Sequence, residues 1–194
     1  MKHRPLLAGF FGVAVVATGL TSWAVATRLG TPWDAKAPMT VQQEADSLLQ
    51  KGMLQDRGHD PKGAARSYAR VLHLQPENKF AWFNLGVAAQ EVGDTADARR
   101  AYEKTLTIDP AFAPALYNQA LLLERTEPDQ AAALLERTTA ADPKAAAAHY
   151  HLGLIWSRKD SGHKAVQEFR RAVAIDPSLL SQVPRAFRDS LRGS

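Results

Sequence analysis

Four prolines, Pro76, Pro110, Pro143 and Pro177, close apolar segments at intervals of 34, 33 and 34 residues. The residues before them read LHLQ, LTID, TAAD and VAID, so the period extends beyond the prolines themselves. A self-similar period of this size permits few architectures. Each unit must be one small supersecondary element that buries its apolar face against its neighbours. Aligned on the prolines, the units are 45–78, 79–112, 113–145 and 146–179. The third is one residue short near Glu127-Pro128, in its internal turn, where a deletion costs least. In each unit two amphipathic segments flank a polar turn, such as VGDTAD at 92–97, and proline ends the second segment. Proline has no N–H for the helical ladder and turns the preceding residue away from αR. Abundant Ala, Leu and Arg, with little Val or Ile beyond the N-terminus, favour helices over strands.

The second unit carries Trp82, Leu85, Gly86, Gly93, Ala98, Tyr102 and Pro110 in one register. The fourth repeats it through Leu152, Gly153, Ala165, Phe169, Ala172 and Pro177, and the first keeps Gly52, Ala64, Tyr68 and Pro76. The third departs furthest, with Ala120 in place of glycine and Leu135 in place of the aromatic. This pattern resembles the tetratricopeptide repeat. The resemblance implies an all-α fold, a right-handed α-solenoid of four helix–turn–helix units with a concave face. Gly86 and Ala98 are expected to let facing helices approach closely, with Trp82, Leu85 and Tyr102 filling the space around them. After Pro177, the spacing of Leu180, Val183, Phe187 and Leu191 predicts a capping helix over 180–194.

Residues 6–26, LLAGFFGVAVVATGLTSWAVA, hold no charged side chain. Roughly 20 apolar residues at about 1.5 Å each span the ~30 Å hydrocarbon core of a bilayer, and in lipid such a span must be helical. Lys2, His3 and Arg4 precede it, so the positive-inside bias puts residues 1–5 in the cytoplasm and the repeats outside it. Ala24-Val25-Ala26 also suits signal cleavage, which leaves a secreted or periplasmic chain as the alternative to a single-pass anchor. Residues 27–44, with Gly30, Pro32 and Pro38, read as a linker.

The formal charge of +4 arises at the two ends, because residues 45–180 hold 17 basic and 17 acidic side chains. A neutral body lacks the footprint of a nucleic-acid binder. With no cysteine, disulfides, thiolate metal sites and cysteine nucleophiles are excluded. His149 and His151 stand two apart, too far around a helix to chelate one metal, and read as satisfied surface or groove residues. The acidic side chains are expected at solvent positions, as with Asp97 near Arg100. No convergent catalytic set and no cofactor motif emerges, so a non-enzyme without metal or cofactor is expected.

The family resemblance places the first helix of each unit along the concave face. It brings Leu49 and Met53, then Phe80, Phe83, Asn84 and Val87, then Tyr117, Asn118 and Leu121, then Tyr150, His151 and Leu154 into a peptide-binding groove. Aromatics would supply contact area there, and the asparagines would bond a peptide backbone. The charges of a carboxylate-clamp subtype are missing. The expected function is a membrane-tethered protein-binding scaffold that supports assembly of an envelope complex. A self-assembling structural module and an accessory subunit of an extracytoplasmic enzyme are the alternatives.

Overall fold

The computed structural model describes residues 38–192, where all regular structure is helical. The apolar segment 6–26 and most of the linker lie outside the described residues. Eight helices form four antiparallel pairs: α1 (Val41–Arg57) with α2 (Pro61–Leu74), α3 (Lys79–Glu91) with α4 (Thr95–Ile108), α5 (Ala113–Leu123) with α6 (Pro128–Ala141), and α7 (Ala146–Arg158) with α8 (Gly162–Ile175). A 3-10 turn, Pro177–Ser181, and a short α9, Arg185–Arg192, follow. Helix α1 begins inside the stretch the sequence assigns to the linker, since Val41-Gln-Gln-Glu contains no helix breaker after Pro38. Among the described residues no helix is long and apolar enough to cross a membrane.

The turns show how local chemistry sets the period. His59, Gly93 and Asp160 occupy the same place in the first, second and fourth units, and all three have positive φ. Each lets the next amide reach back five residues to a helix carbonyl, as Asp94 N–H does to Ala89 O at 2.9 Å. The third unit has lost this left-handed residue. Its turn closes instead through Glu127 N–H to Leu123 O, four residues back at 2.7 Å, and Pro128 starts α6 where no amide is needed. The missing residue is therefore the strained one. At the other end of each unit, Asp109, Asp142 and Asp176 adopt extended backbone before their prolines. Their carboxylates accept from the amides of Ala111, Lys144 and Ser178 at 3.0–3.1 Å, which bends the chain into the next helix.

Glycine sets the helix spacing in three of the four pairs. A methyl on Gly86 would lie 2.6 Å from the Tyr102 ring, and one on Gly153 would lie 2.5 Å from the Phe169 ring. Gly52 meets Tyr68 in the same way. The close partner of Gly86 is thus the tyrosine ring on α4, a tighter contact than the expected glycine–alanine approach. Trp82 and Leu85 remain half-buried on another side of α3. The three rings are fully buried, and each stabilises the fold by about 1.5–3 kcal/mol. In the third pair Ala120, Leu135, Leu123 and Ala131 supply a purely aliphatic contact.

Apolar side chains gather in successive small clusters, each joining one pair to the next element. Ala45, Leu48 and Val71 meet Ala81 of the following unit, and Ala120 and Leu135 meet Ala148 and Ile155. Stability thus accumulates between neighbours, with no central core. The C-terminal segment closes the stack through Val183, Phe187 and Leu191, which pack against the Ala165 and Phe169 cluster. The continuous helix expected over 180–194 is interrupted, because Pro184 cannot donate a ladder bond and constrains Val183. Arg188 spans the break, donating to the carbonyls of Val183 and Ser181.

Gly86→Ala is expected to destabilise the chain by about 1–3 kcal/mol, since the tyrosine ring has nowhere to retreat. Gly162→Ala, at an open helical position, should stabilise by about 0.4–1 kcal/mol. Thermal unfolding followed at 222 nm checks both, and equal effects would refute the glycine–ring account.

Candidate functional site

The helical spacing of α3 puts Phe80, Phe83, Asn84 and Val87 on a side of that helix away from Trp82 and Leu85. Phe80 is 50% exposed, whereas Phe83, Asn84 and Val87 are half-buried. Tyr117, Asn118 and Leu121 on α5, and Tyr150, His151 and Leu154 on α7, are also half-buried. From α1, Leu49 turns into the first cluster while Met53 stays exposed.

Ring contacts join these side chains in two runs. Phe80 and Phe83 both meet Phe112 edge-on, at centroid distances of 5.9 and 5.4 Å, and Phe83 also meets Tyr102 at 6.0 Å. Further along, Tyr117 and Tyr150 stand edge-on to His151 at 5.8 and 5.4 Å, and Tyr150 reaches Phe169. No ring contact joins Phe83 to Tyr117. A polar relay fills that interval: Asn118 Nδ2–H donates to Tyr102 Oη at 3.4 Å, which donates to Gln90 Oε1 at 2.9 Å. Burial, with Glu91 as a nearby charge, pushes the Tyr102 hydroxyl up to about 12, so it stays a donor at neutral pH. One unit earlier, Tyr68 donates to the Asp56 carboxylate. Asn84, in the place Asn118 holds one unit later, makes no side-chain hydrogen bond among the described residues.

Several residues of this wall are absent from the set predicted by sequence. Phe112 closes the second unit just before α5, and its ring fits between the two phenylalanines of α3. Lys79 holds its ammonium 5.3 Å from both the Phe80 and Phe112 rings while pairing with Asp109 at 2.6 Å. That pair and the Ala111 amide hold the Asp109 carboxyl below its ordinary range. The only sequence signal for Phe112 is an aromatic two residues after Pro110.

Most acidic residues are at solvent positions as expected, Asp97 beside Arg100 among them, but two depart. Glu124 and Glu168 have side chains only 12% exposed, and each binds one histidine and one arginine. Glu124 lies 2.6 Å from His151 Nδ1 and 2.7 Å from Arg158, tying α7 to the end of α5. Glu168 lies 2.7 Å from His149 Nδ1 and 2.6 Å from Arg171. A carboxylate only accepts, so Nδ1 carries the proton in both imidazoles. His149 is 7% exposed and occupies the place Trp82 holds in the second unit. It is a buried packing residue, contrary to the surface or groove position expected for it. Among the described residues no cluster of three or more His, Cys, Asp or Glu could hold a metal ion.

A family model for the tetratricopeptide repeat matches residues 49–113 and 120–179. In sequence the chain is similar to a probable UDP-N-acetylglucosamine–peptide N-acetylglucosaminyltransferase, SPINDLY, of Solanum lycopersicum, with 28% identity over 78 residues. That match covers 40% of this chain and 8% of the transferase, so the chain spans a small fraction of the relative's length. In structure it is similar to MamA, at TM-score 0.68 and 23% identity over 78% of this chain and 87% of that one. It is also similar to YrrB, described as a TPR protein with an unusual peptide-binding site, at TM-score 0.60 and 18% identity over 77% and 75%. At these identities the structural likenesses speak for the fold alone.

Asp56 offers a pH test of the polar relay. Desolvation raises its carboxyl above 3.8, the Tyr68 bond offsets this only in part, and one carboxylate oxygen is buried without a partner. A folded pKa above the unfolded one means the folded state binds the proton more tightly. The wild type therefore loses stability as pH rises from 3.8 through the folded pKa. Asp56→Asn should gain stability relative to wild type over that window and hold the gain at neutral pH. Urea unfolding at pH 3 and pH 7 checks this, and a pH-independent difference would refute it.

Proposed function

Because this chain belongs to the tetratricopeptide repeat family, we propose that it is a non-catalytic scaffold that captures a protein or peptide along the aromatic and amide wall of α3, α5 and α7. The observation that carries this reading is the uncommitted chemistry of the wall. The Phe80 ring is half exposed, the Asn84 side-chain amide makes no hydrogen bond, and Tyr117, one unit on, forms an edge-on pair with His151, two units on. Aromatics give contact area with little conformational entropy to lose, and an amide both donates to and accepts from a peptide backbone. Residues 6–26 anchor the scaffold in a membrane with its repeats outside the cytoplasm, where it supports assembly of an envelope complex. What supports this part is the length of the uncharged run and the positive charges before it.

Stacking of copies through the first repeat is the weaker reading. Ser47 and Lys51 on α1 are exposed at the positions where α3 has Ala81 and Leu85, and Gln55 replaces Ala89. The open edge of the first unit is therefore largely polar, as a solenoid terminus requires. Leu54, 64% exposed, is its apolar exception.

A photoreactive side chain placed at Phe80 should crosslink a specific protein in intact cells, while one at exposed Glu103 should not. Phe80→Ala with Asn84→Ala should reduce capture through a crosslinker at Tyr117 at least about tenfold, with stability changed by only about 0.5 kcal/mol. Undiminished capture by a folded double variant would overturn the groove reading. For the anchor, mass spectrometry of membrane-extracted protein should find the intact 21.2 kDa chain. A chain beginning after Ala26 would replace the anchor with a cleaved signal.

A further inference from the structure

On the side of α3 carrying Trp82 and Leu85, a concavity of about 290 Å³ lies between α2, α3 and α4. It shares no residue with the groove. Its floor is apolar, built from Trp82, Leu85 and small residues that include Ala65 and Ala89. The Trp82 indole N–H is already engaged, donating to Pro76 O at 2.8 Å, so its ring serves as a wall. An apolar cavity of about 150 Å³ already holds a benzene ring.

At the corresponding notches between later repeats the chain places larger side chains of its own. Arg99 stands one unit after Ala65, and its guanidinium lies 2.8 Å from Glu127 and 3.0 Å from Glu103 between the second and third repeats. Trp156 stands two units after Ala89, packed against the clusters of Ala132 and Ala165 between the third and fourth repeats. The ammonium groups of Lys159 and Lys164 lie 5.7 and 4.4 Å from its ring centre. At the first junction both of these positions are alanine, which leaves the apolar floor bare.

We infer that the notch between the first and second repeats is a second binding site, which takes a tryptophan-sized aromatic side chain from an acidic segment of a partner protein. The chain's own use of an indole in the same place, two units on, identifies the anchor. The rim identifies its flank. Asp97 pairs with Arg100, and the Asp94 carboxylate accepts from the Asp97 amide at 3.0 Å. Lys62 makes no ion pair or hydrogen bond among the described residues, so the uncommitted cation at the edge faces a carboxylate beside the anchor. Burying the aromatic supplies affinity, and the single exposed charge pair adds orientation more than strength. The site stands apart from the groove and does not depend on its being occupied.

The test is titration of the full chain in detergent with the blocked dipeptide acetyl-Trp-Glu-amide, followed by NMR at the Trp82 indole N–H and the Ala65 and Ala88 amides. Saturable shifts are expected at these three. Acetyl-Ala-Glu-amide should bind at least about tenfold more weakly, and acetyl-Trp-Lys-amide several-fold more weakly. Two variants occupy the notch with the chain's own larger side chains: Ala89→Trp copies Trp156, and Ala65→Arg copies Arg99. Whichever of them folds, judged by circular dichroism, should lose the shifts, while Phe80→Ala with Asn84→Ala should keep them. Shifts that survive in a folded notch-filling variant, or that fall on Asn84 and Tyr117 instead, would overturn the proposal. So would concentration-dependent shifts at Trp82 without peptide, which would make a second copy of the chain the occupant.

Discussion

The contact on which the stack depends is a glycine laid against an aromatic ring. Gly52, Gly86 and Gly153 each let the ring of Tyr68, Tyr102 or Phe169 lie where a methyl would otherwise stand. In these three pairs the helices approach to the distance the ring dictates, and the buried rings in turn hold the first helix at one rotation. That rotation decides which residues of α3 and α7 lie beside the next unit and which remain at the surface. Without it, Phe83 and Tyr150 would not meet the Tyr102 and Phe169 rings from the other side.

The rings also carry polar consequences. Where the aromatic is tyrosine, its hydroxyl emerges beside the first helix and binds Asp56 or Gln90. Where it is leucine or phenylalanine, as in the third and fourth units, that partner is gone. Glu124 then turns to His151 and Arg158 of the next unit. The wall consequently changes character along its length. It runs from aromatic rings with a free amide around α3 to an imidazole held by a half-buried carboxylate around α7. The outer face shows the same variation on a fixed frame, with alanines at the first inter-repeat notch and Arg99 or Trp156 at the later two.

Much of the helical architecture was legible in the order of residues. Asp-Pro pairs announce helix ends through chemistry confined to two or three residues, because proline lacks an amide and aspartate can cap the amide two positions on. The short third unit announced a deletion in its turn, and the structure identifies the lost residue as the left-handed one. The candidate wall was only partly legible. Periodicity can assign Phe83, Tyr117 and Tyr150 to one face. It cannot show that Phe112, outside any helix, fits between two rings of α3, because that depends on the path of the connection. The capping helix was read as continuous from apolar spacing, and Pro184 overrode that spacing locally.

The sequence by itself determined the repeat, the all-helical class, the ends of most helices and the absence of cysteine chemistry. These follow from backbone constraints and side-chain types that act over a few residues. Only the tertiary structure decided the partners of the buried polar groups. Glu168 reaches His149 and Glu124 reaches His151 across separate helices, and such pairings depend on distances that no local rule supplies. It also decided that Trp82, whose position suggested a filled core, borders an open notch. Whether a space between repeats is filled depends jointly on residues from three helices, and here Ala65 and Ala89 leave it empty.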